Sequence, residues 1–74
     1  MDIYSAPGTK VKFNDFHGSN FDRNYIKSIG VKKDDILTVV NTVVHDWSTD
    51  VYFEEIEGAF NSCCFDDLNV RLIN

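Results

Sequence analysis

The chain has 74 residues, of which 43% are hydrophobic, 14% aromatic and 26% charged, and its formal net charge is −5. This length corresponds to a single domain (residues 1–74) with no room for a separate catalytic domain. No run approaches the ~20 apolar residues of a membrane span and no basic stretch precedes an apolar leader, so the sequence predicts a soluble cytoplasmic protein that does not enter a membrane.

Charge is distributed unevenly along the chain. Residues 1–33 carry six basic and three acidic groups, whereas residues 34–70 carry nine acidic groups and no Lys or Arg. Binding to nucleic-acid phosphates needs clustered cations, so this distribution argues against direct nucleic-acid binding. An acidic surface suits a protein partner with a basic surface, or it is a solvated face that keeps the protein soluble.

The first predicted elements are a strand and a short helix. Alternating apolar and polar residues predict a strand at about residues 9–15. A helix is predicted at about residues 21–29, because Ser19 and Asp22 resemble a capping box and Gly30 suits the position just past a helix end. The apolar residues at helical spacing in this segment are Phe21, Tyr25 and Ile29.

The middle of the chain predicts two strands. Residues 35–47 are the most β-prone run, and their apolar residues fit two alternating phases. A strand that changes face at a bulge or sharp bend would use both phases. Residues 48–50 are typical of a turn, and residues 51–56 predict a third strand with Val51 and Phe53 facing inward.

The C-terminal third predicts further short elements. A tight connection is expected at residues 57–58, and Asn61 or Ser62 is expected to begin a short helical turn near residues 61–65. Residues 69–73 predict the last strand. Several short strands close together indicate a small barrel or sandwich.

Four sequence motifs, in this order, resemble a group of small uncharacterised bacteriophage and prophage proteins. The motifs are GTKV, a Gly before a strand, T-x-V-x-(apolar)-x-E and G-x-FNS-x-x-F, here at Gly8 to Val11, Gly30, Thr49 to Glu55 and Gly58 to Phe65. The resemblance spans roughly residues 7–67. It implies a mainly β fold, a five-stranded SH3-like barrel, and it implies no activity.

The chain contains two adjacent cysteines, Cys63 and Cys64. A zinc site would need further thiolate or imidazole ligands, and His17 and His45 stand singly in turn-like segments rather than at a ligand spacing. The acidic residues that follow the cysteines raise a thiol pKa, which disfavours a nucleophile. We therefore expect no metal, no cofactor and no catalytic residue, with one thiol packed in the core and the other facing outward.

A partner-binding surface is predicted around residues 45–57, here called the acidic segment. Trp47 lies in a hairpin loop, where SH3-like barrels often group the aromatic residues that bind partners, and we expect Tyr4, Phe16 and Tyr52 to share that surface. A lone Trp equally suits the closure of a small core. The candidate residues are Asp46, Trp47, Asp50, Tyr52, Glu54 and Glu57.

The expected function is that of a non-enzymatic phage or prophage accessory protein that binds another protein through the acidic face and the aromatic loop. A more specific alternative is an inhibitor of a host nucleic-acid enzyme or defence system, such as an anti-CRISPR protein, whose surface imitates the charge of nucleic acid. A third alternative is a small-ligand or nucleotide-binding protein, although the chain lacks a glycine-rich phosphate loop. Partner identity, host and oligomeric state stay open.

Overall fold

A computed structural model of the chain describes residue 1 and residues 4–68. Its elements are β1 (Lys10–Phe13), α1 (Asn20–Ser28), β2 (Ile36–Val44), β3 (Thr49–Phe53), β4 (Phe60–Asn61), a 3₁₀ turn (Ser62–Cys64) and β5 (Phe65–Asp67). The strands form one antiparallel sheet in the order β4-β3-β2-β1-β5. The predicted mainly β fold is confirmed, and the strand predicted at residues 69–73 lies outside the described residues.

β2 belongs to both halves of the sheet. Its first half pairs with β1, and its second half pairs with β3 from Val39 to Val44, with a register shift between Val39 and Asn41. An extra residue at a bulge reverses the alternation of side chains, so Leu37 and Val39 face the core before the bulge, and Thr42, opposite the buried Val51, lies on the same face after it. Val40 and Val44, the valines of the second apolar phase, are exposed. The register shift confirms the predicted change of face.

The sheet is open rather than closed into the predicted barrel. In the part of the chain that the structure describes, β4 and β5 are the two edges of the sheet and do not pair with each other. β4 has two residues and leads through the 3₁₀ turn directly into β5. Since neighbouring strands are antiparallel throughout the order β4-β3-β2-β1-β5, β4 and β5 run in the same sense. The 3₁₀ turn therefore does not reverse the chain, and the two-residue β4 continues into β5 instead of pairing with it as a hairpin.

The core fills the space enclosed by the bent sheet and α1. Phe65 lies at its centre, with its ring centroid 4.7 Å from that of Phe53 and 5.9 Å from that of Phe13. Phe60 continues this aromatic cluster, 6.0 Å from Phe53. The other buried apolar residues are Val11, Ile26, Val31, Leu37, Val39, Val51 and Cys64.

The helix presents a different face to the core from the one that its apolar spacing suggests. The cap is as predicted, because the Ser19 hydroxyl oxygen accepts a hydrogen bond from the Asp22 backbone N–H at 3.1 Å. Ile26, however, is the buried residue of α1, while Phe21 and Tyr25 are exposed. Ile26 follows Tyr25 by one residue, about 100° around the helix, so the sheet contacts the flank of the apolar row and not its centre.

Candidate functional site

The β2–β3 hairpin carries most of the predicted partner-binding residues. A hydrogen bond from the His45 backbone N–H to the Ser48 carbonyl oxygen, 2.8 Å long, closes the loop at its tip. Trp47 lies in that loop and is 95% exposed. Trp47 therefore does not close the core, and the tight loop presents its indole to solvent.

The outward side chains of β3 continue the same surface. Val51 and Phe53 are buried, as predicted, so the intervening side chains of Asp50 and Tyr52 point to the opposite face of the strand. Asp50 lies 3.0 Å from the His45 ring nitrogen. The hairpin thus places an indole, a phenol and a carboxylate within a few residues of one another.

The acidic segment also contains carboxylates that no cation neutralises. Within the part of the chain that the structure describes, the side chains of Asp46, Glu54 and Glu57 are exposed and form neither an ion pair nor a hydrogen bond. Elsewhere most of the described acids have a partner: Asp15 and Asp34 form ion pairs, with Lys27 at 3.2 Å and with Lys33 at 3.6 Å. The exception is Asp67, whose Oδ1 is buried without a hydrogen-bond partner among the described residues. Negative charge without a partner is therefore concentrated in this segment.

Phe16 does not share the surface of Trp47, contrary to expectation. Phe16 follows β1 near Ile36, where β2 begins, whereas Trp47 lies beyond Val44, where β2 ends. The Phe16 ring instead packs edge-on against His17, with a centroid distance of 4.8 Å. The nine-residue length of β2 separates the two aromatic positions, and this separation depends on strand pairing that the sequence does not display.

Glu55 has a structural role that sequence analysis missed. Its carboxylate accepts hydrogen bonds from the Thr38 backbone N–H at 2.8 Å and from the Thr38 hydroxyl at 2.7 Å. The same hydroxyl accepts a hydrogen bond from the Lys10 ammonium at 2.6 Å. Partial burial raises the pKa of Glu55, but the hydrogen bonds from Thr38 and the charge of Lys10 outweigh it and hold the pKa below its usual value of 4.5.

We expect Glu55→Gln to lower the free energy of unfolding at pH 7, because an amide cannot replace a carboxylate that accepts two hydrogen bonds. A folded-state pKa below the unfolded one stabilises the protein above pH 4.5, and this contribution is lost as pH falls through the folded pKa. The difference in free energy of unfolding between the wild type and Glu55→Gln should therefore become smaller at acidic pH, as measured by urea unfolding at several pH values. Glu54→Gln, a matched control without a described side-chain partner, should have little effect. An equal loss of unfolding free energy at all pH values would contradict the lowered pKa assigned to Glu55.

The cysteine pair packs as predicted, with Cys64 buried and Cys63 exposed. Burial, together with the neighbouring Cys63 and Asp22, raises the pKa of Cys64 to about 12, so the thiol stays protonated at neutral pH. Among residues 1 and 4–68, no group of three or more His, Cys, Asp or Glu side chains is placed to hold a metal ion. The surroundings of Cys64 are those of a small apolar side chain.

A family model described as Bacteriophage T4 protein Y07B matches residues 3–70. No curated protein and no solved structure gives a significant match. Within the described ranges, none of the helical structure is long and apolar enough to cross a membrane. The family match confirms the predicted kinship with phage proteins.

Proposed function

We propose a function for this chain, which belongs to the Bacteriophage T4 protein Y07B family. It is a non-enzymatic phage accessory protein that acts in the cytoplasm of a bacterial host. It binds another protein through the acidic segment. One observation carries this proposal, the fully solvated Trp47 on a closed hairpin loop beside carboxylates without described partners. Exposed tryptophans are enriched among the residues that contribute most to protein interfaces. The short loop limits the entropy lost when the indole is bound.

The charge and the aromatic side chains of the acidic segment indicate what kind of surface the partner has. Residues 45–57 contain five acidic residues and no Lys or Arg, which suits a basic protein surface with a cleft that accepts an indole. Exposed charges act chiefly on the rate of encounter, whereas buried aromatic side chains set the lifetime of a complex. We accordingly propose that the carboxylates speed association with the partner. Trp47 and Tyr52 slow dissociation of the complex.

The arrangement of strands supports an open variant of the SH3-like fold. The order β4-β3-β2-β1-β5, the sharing of β2 between the two halves of the sheet and the 3₁₀ turn between β4 and β5 all suit that arrangement. Domains of this kind bind peptides through grooves lined by aromatic side chains. We propose that the β2–β3 loop that holds Trp47 is the part of this domain that contacts the partner.

A second candidate function uses the same carboxylates. The concentration of unpartnered acids in one segment favours an inhibitor that occupies the nucleic-acid site of a host enzyme or defence protein. The two candidates differ in one measurable property. Short DNA or RNA should compete with this chain for the partner if the segment imitates nucleic acid, and should leave binding unchanged if it does not.

The proposal is tested by capturing partners from a bacterial lysate with the wild type and with a variant that carries Asp46→Lys, Glu54→Lys and Glu57→Lys. These positions have no described side-chain partners, so their reversal should leave the fold intact. We expect association with the captured protein to slow by about tenfold or more. The wild-type rate should fall as the Debye length shortens from about 10 Å at 0.1 M salt to about 3 Å at 1 M.

Two controls separate charge from contact area. The neutral substitutions Asp46→Asn, Glu54→Gln and Glu57→Gln should give an intermediate association rate, and Trp47→Ala should act mainly by speeding dissociation. A charge-reversed variant that associates as fast as the wild type, with no salt dependence in either, would show that the acids are only a solvated face. The proposal in its present form would then be wrong.

A further inference from the structure

Three apolar side chains of α1 and of the residue that follows it form a row on the outer surface of the helix. Phe21, Tyr25 and Ile29 are 79%, 45% and 40% exposed and follow one another at four-residue intervals. With a rise of about 1.5 Å per residue, the row is about 12 Å long. We call these three residues the helix row. The core does not account for it, because Ile26 is the residue that α1 buries there.

The helix row lies beside β4 and the connection between β3 and β4. The Tyr25 ring stacks on that of Phe60 in β4, with a centroid distance of 5.6 Å and an interplanar angle of 24°. Gly58 lies against the same tyrosine, since an added Cβ there would be 3.6 Å from the Tyr25 hydroxyl oxygen. Gly58 directly follows Glu57, the last residue of the acidic segment. The acidic segment therefore ends at the helix row.

The flank of the helix row toward β4 carries carboxylates. Asp22 lies in the first turn of α1, and its carboxylate accepts a hydrogen bond from the Asn61 amide at 3.2 Å. Asn61 is in turn opposite Asp50 in the pairing of β4 with β3. Glu57 is exposed, and within the described residues neither Asp22 nor Glu57 forms an ion pair. We call Asp22 and Glu57 the acidic flank, and it offers uncompensated negative charge to a partner.

The cations of α1 lie on the opposite side of the helix. Arg23 and Lys27 are each two residues from Tyr25, which places both about 160° around the helix from it. The Lys27 ammonium pairs with Asp15 at 3.2 Å, and the Arg23 guanidinium donates to backbone carbonyls of the connection between β1 and α1. These cations therefore do not neutralise the acidic flank, and a basic partner that approaches the helix row does not meet them.

We propose that the helix row and the acidic flank bind an amphipathic helix of the partner, with Lys or Arg beside its apolar stripe. This inference rests on the proposed function, since the basic protein recognised by the acidic segment is the one that supplies the helix. Its apolar side chains cover the helix row, because a four-residue spacing forms the ridges by which helices pack against each other. Its cations meet the acidic flank, so that opposite charges adjoin the apolar contact.

The area of the helix row shows why the partner also contacts the acidic segment. If a fully exposed aromatic side chain carries roughly 150–250 Å², the row presents about 300 Å². A stable interface takes about 800 Å² from each partner. The helix row is therefore one part of a larger surface, in which the carboxylates and Trp47 supply the rest.

A synthetic helical peptide with Leu on one face and Lys on the other is the probe for this site. A peptide of the same composition, scrambled so that it has no apolar face, is its control. Added to the isotope-labelled protein and followed by NMR, the amphipathic peptide should shift the amide signals of α1 and of Glu57 and Gly58. It should bind at least about tenfold more tightly than the scrambled peptide, which has only charge to contribute.

Two variants separate the apolar contact from the charge. The double variant Phe21→Ala, Ile29→Ala should weaken binding of the amphipathic peptide by about tenfold, because it removes exposed apolar area without disturbing the core. Glu57→Gln should weaken binding by about threefold or more at low salt, and this loss should disappear at about 1 M salt. The matched controls are Trp47→Ala and Asp46→Asn, which remove an exposed aromatic ring and an exposed carboxylate outside this site. Both should have little effect on the peptide.

The double variant should also speed dissociation of the captured partner, because the partner's helix then loses its apolar contact. A peptide that does not bind, that binds no better than the scrambled one, or that shifts the signals of the Trp47 loop in place of those of α1 would overturn the inference. So would a partner complex whose lifetime is unchanged by the double variant. In that last case the proposed function stands, because it fails only if the charge-reversed variant binds the partner as the wild type does.

Discussion

Phe65→Ala is expected to lower the free energy of unfolding by about 3–5 kcal/mol, which is most of the stability of a small domain. Phe65 is fully buried, and its ring contacts those of Phe13 in β1 and Phe53 in β3. Its removal leaves a cavity where three strands meet, and the surrounding backbone is held by sheet hydrogen bonds that limit collapse into the space. Urea unfolding followed by circular dichroism measures the loss.

The matched control for this prediction lies on the neighbouring strand. Lys12 alternates with the buried residues of β1, and among the described residues its ammonium forms an ion pair only with the exposed Asp34 carboxylate, at 3.9 Å. An ion pair of this kind contributes little, so Lys12→Ala should change stability by a few tenths of a kcal/mol. Comparable losses from Phe65→Ala and Lys12→Ala would mean that the inner and outer faces of the sheet are assigned wrongly.

Local patterns in the sequence predicted the elements well, because those elements depend on neighbouring residues. The two apolar phases of β2 indicated its bulge, Ser19 and Asp22 indicated the start of α1, and Asn61 caps the 3₁₀ turn by accepting from the Cys63 backbone N–H at 3.2 Å. Barrel closure was not predictable in this way. It depends on whether the edge strands reach each other, and the shortness of β4 keeps the sheet open.

The candidate site was predicted in composition but not in geometry. The sequence favoured core and surface equally for Trp47, because a lone indole suits either environment until the packing around it is known. Glu55 was missed because its partner, Thr38, is 17 residues away and meets it only through the pairing of β2 with β3, next to the hydrogen bond from the Glu54 backbone N–H to the Thr38 carbonyl oxygen. Contacts of this kind arise from strand register, which residue periodicity alone does not specify.

Gly18→Ala is expected to lower the free energy of unfolding by about 2–5 kcal/mol, for two separable reasons. Gly18 has a φ of +90°, where an L-residue is strained by about 1–2 kcal/mol. An added Cβ would also lie 2.6 Å from the Cys64 sulfur and 3.3 Å from the Cys63 sulfur. Cys64 is fully buried with one rotatable side-chain bond, so relief of the clash requires a shift in the core.

Gly8→Ala separates the two causes. Gly8 has nearly the same φ, +93°, but nothing lies within 4 Å of its added Cβ. Its substitution should cost the backbone strain alone, and the excess loss in Gly18→Ala measures the contact with the thiols. Cys64→Ala in the Gly18→Ala background should recover part of that excess, because it removes the clashing sulfur, and a double-mutant cycle by urea unfolding gives the coupling energy. Equal losses at Gly8 and Gly18 with no coupling would show that the Cys64 thiol does not pack beneath Gly18, and the assignment of Cys64 to the core would be wrong.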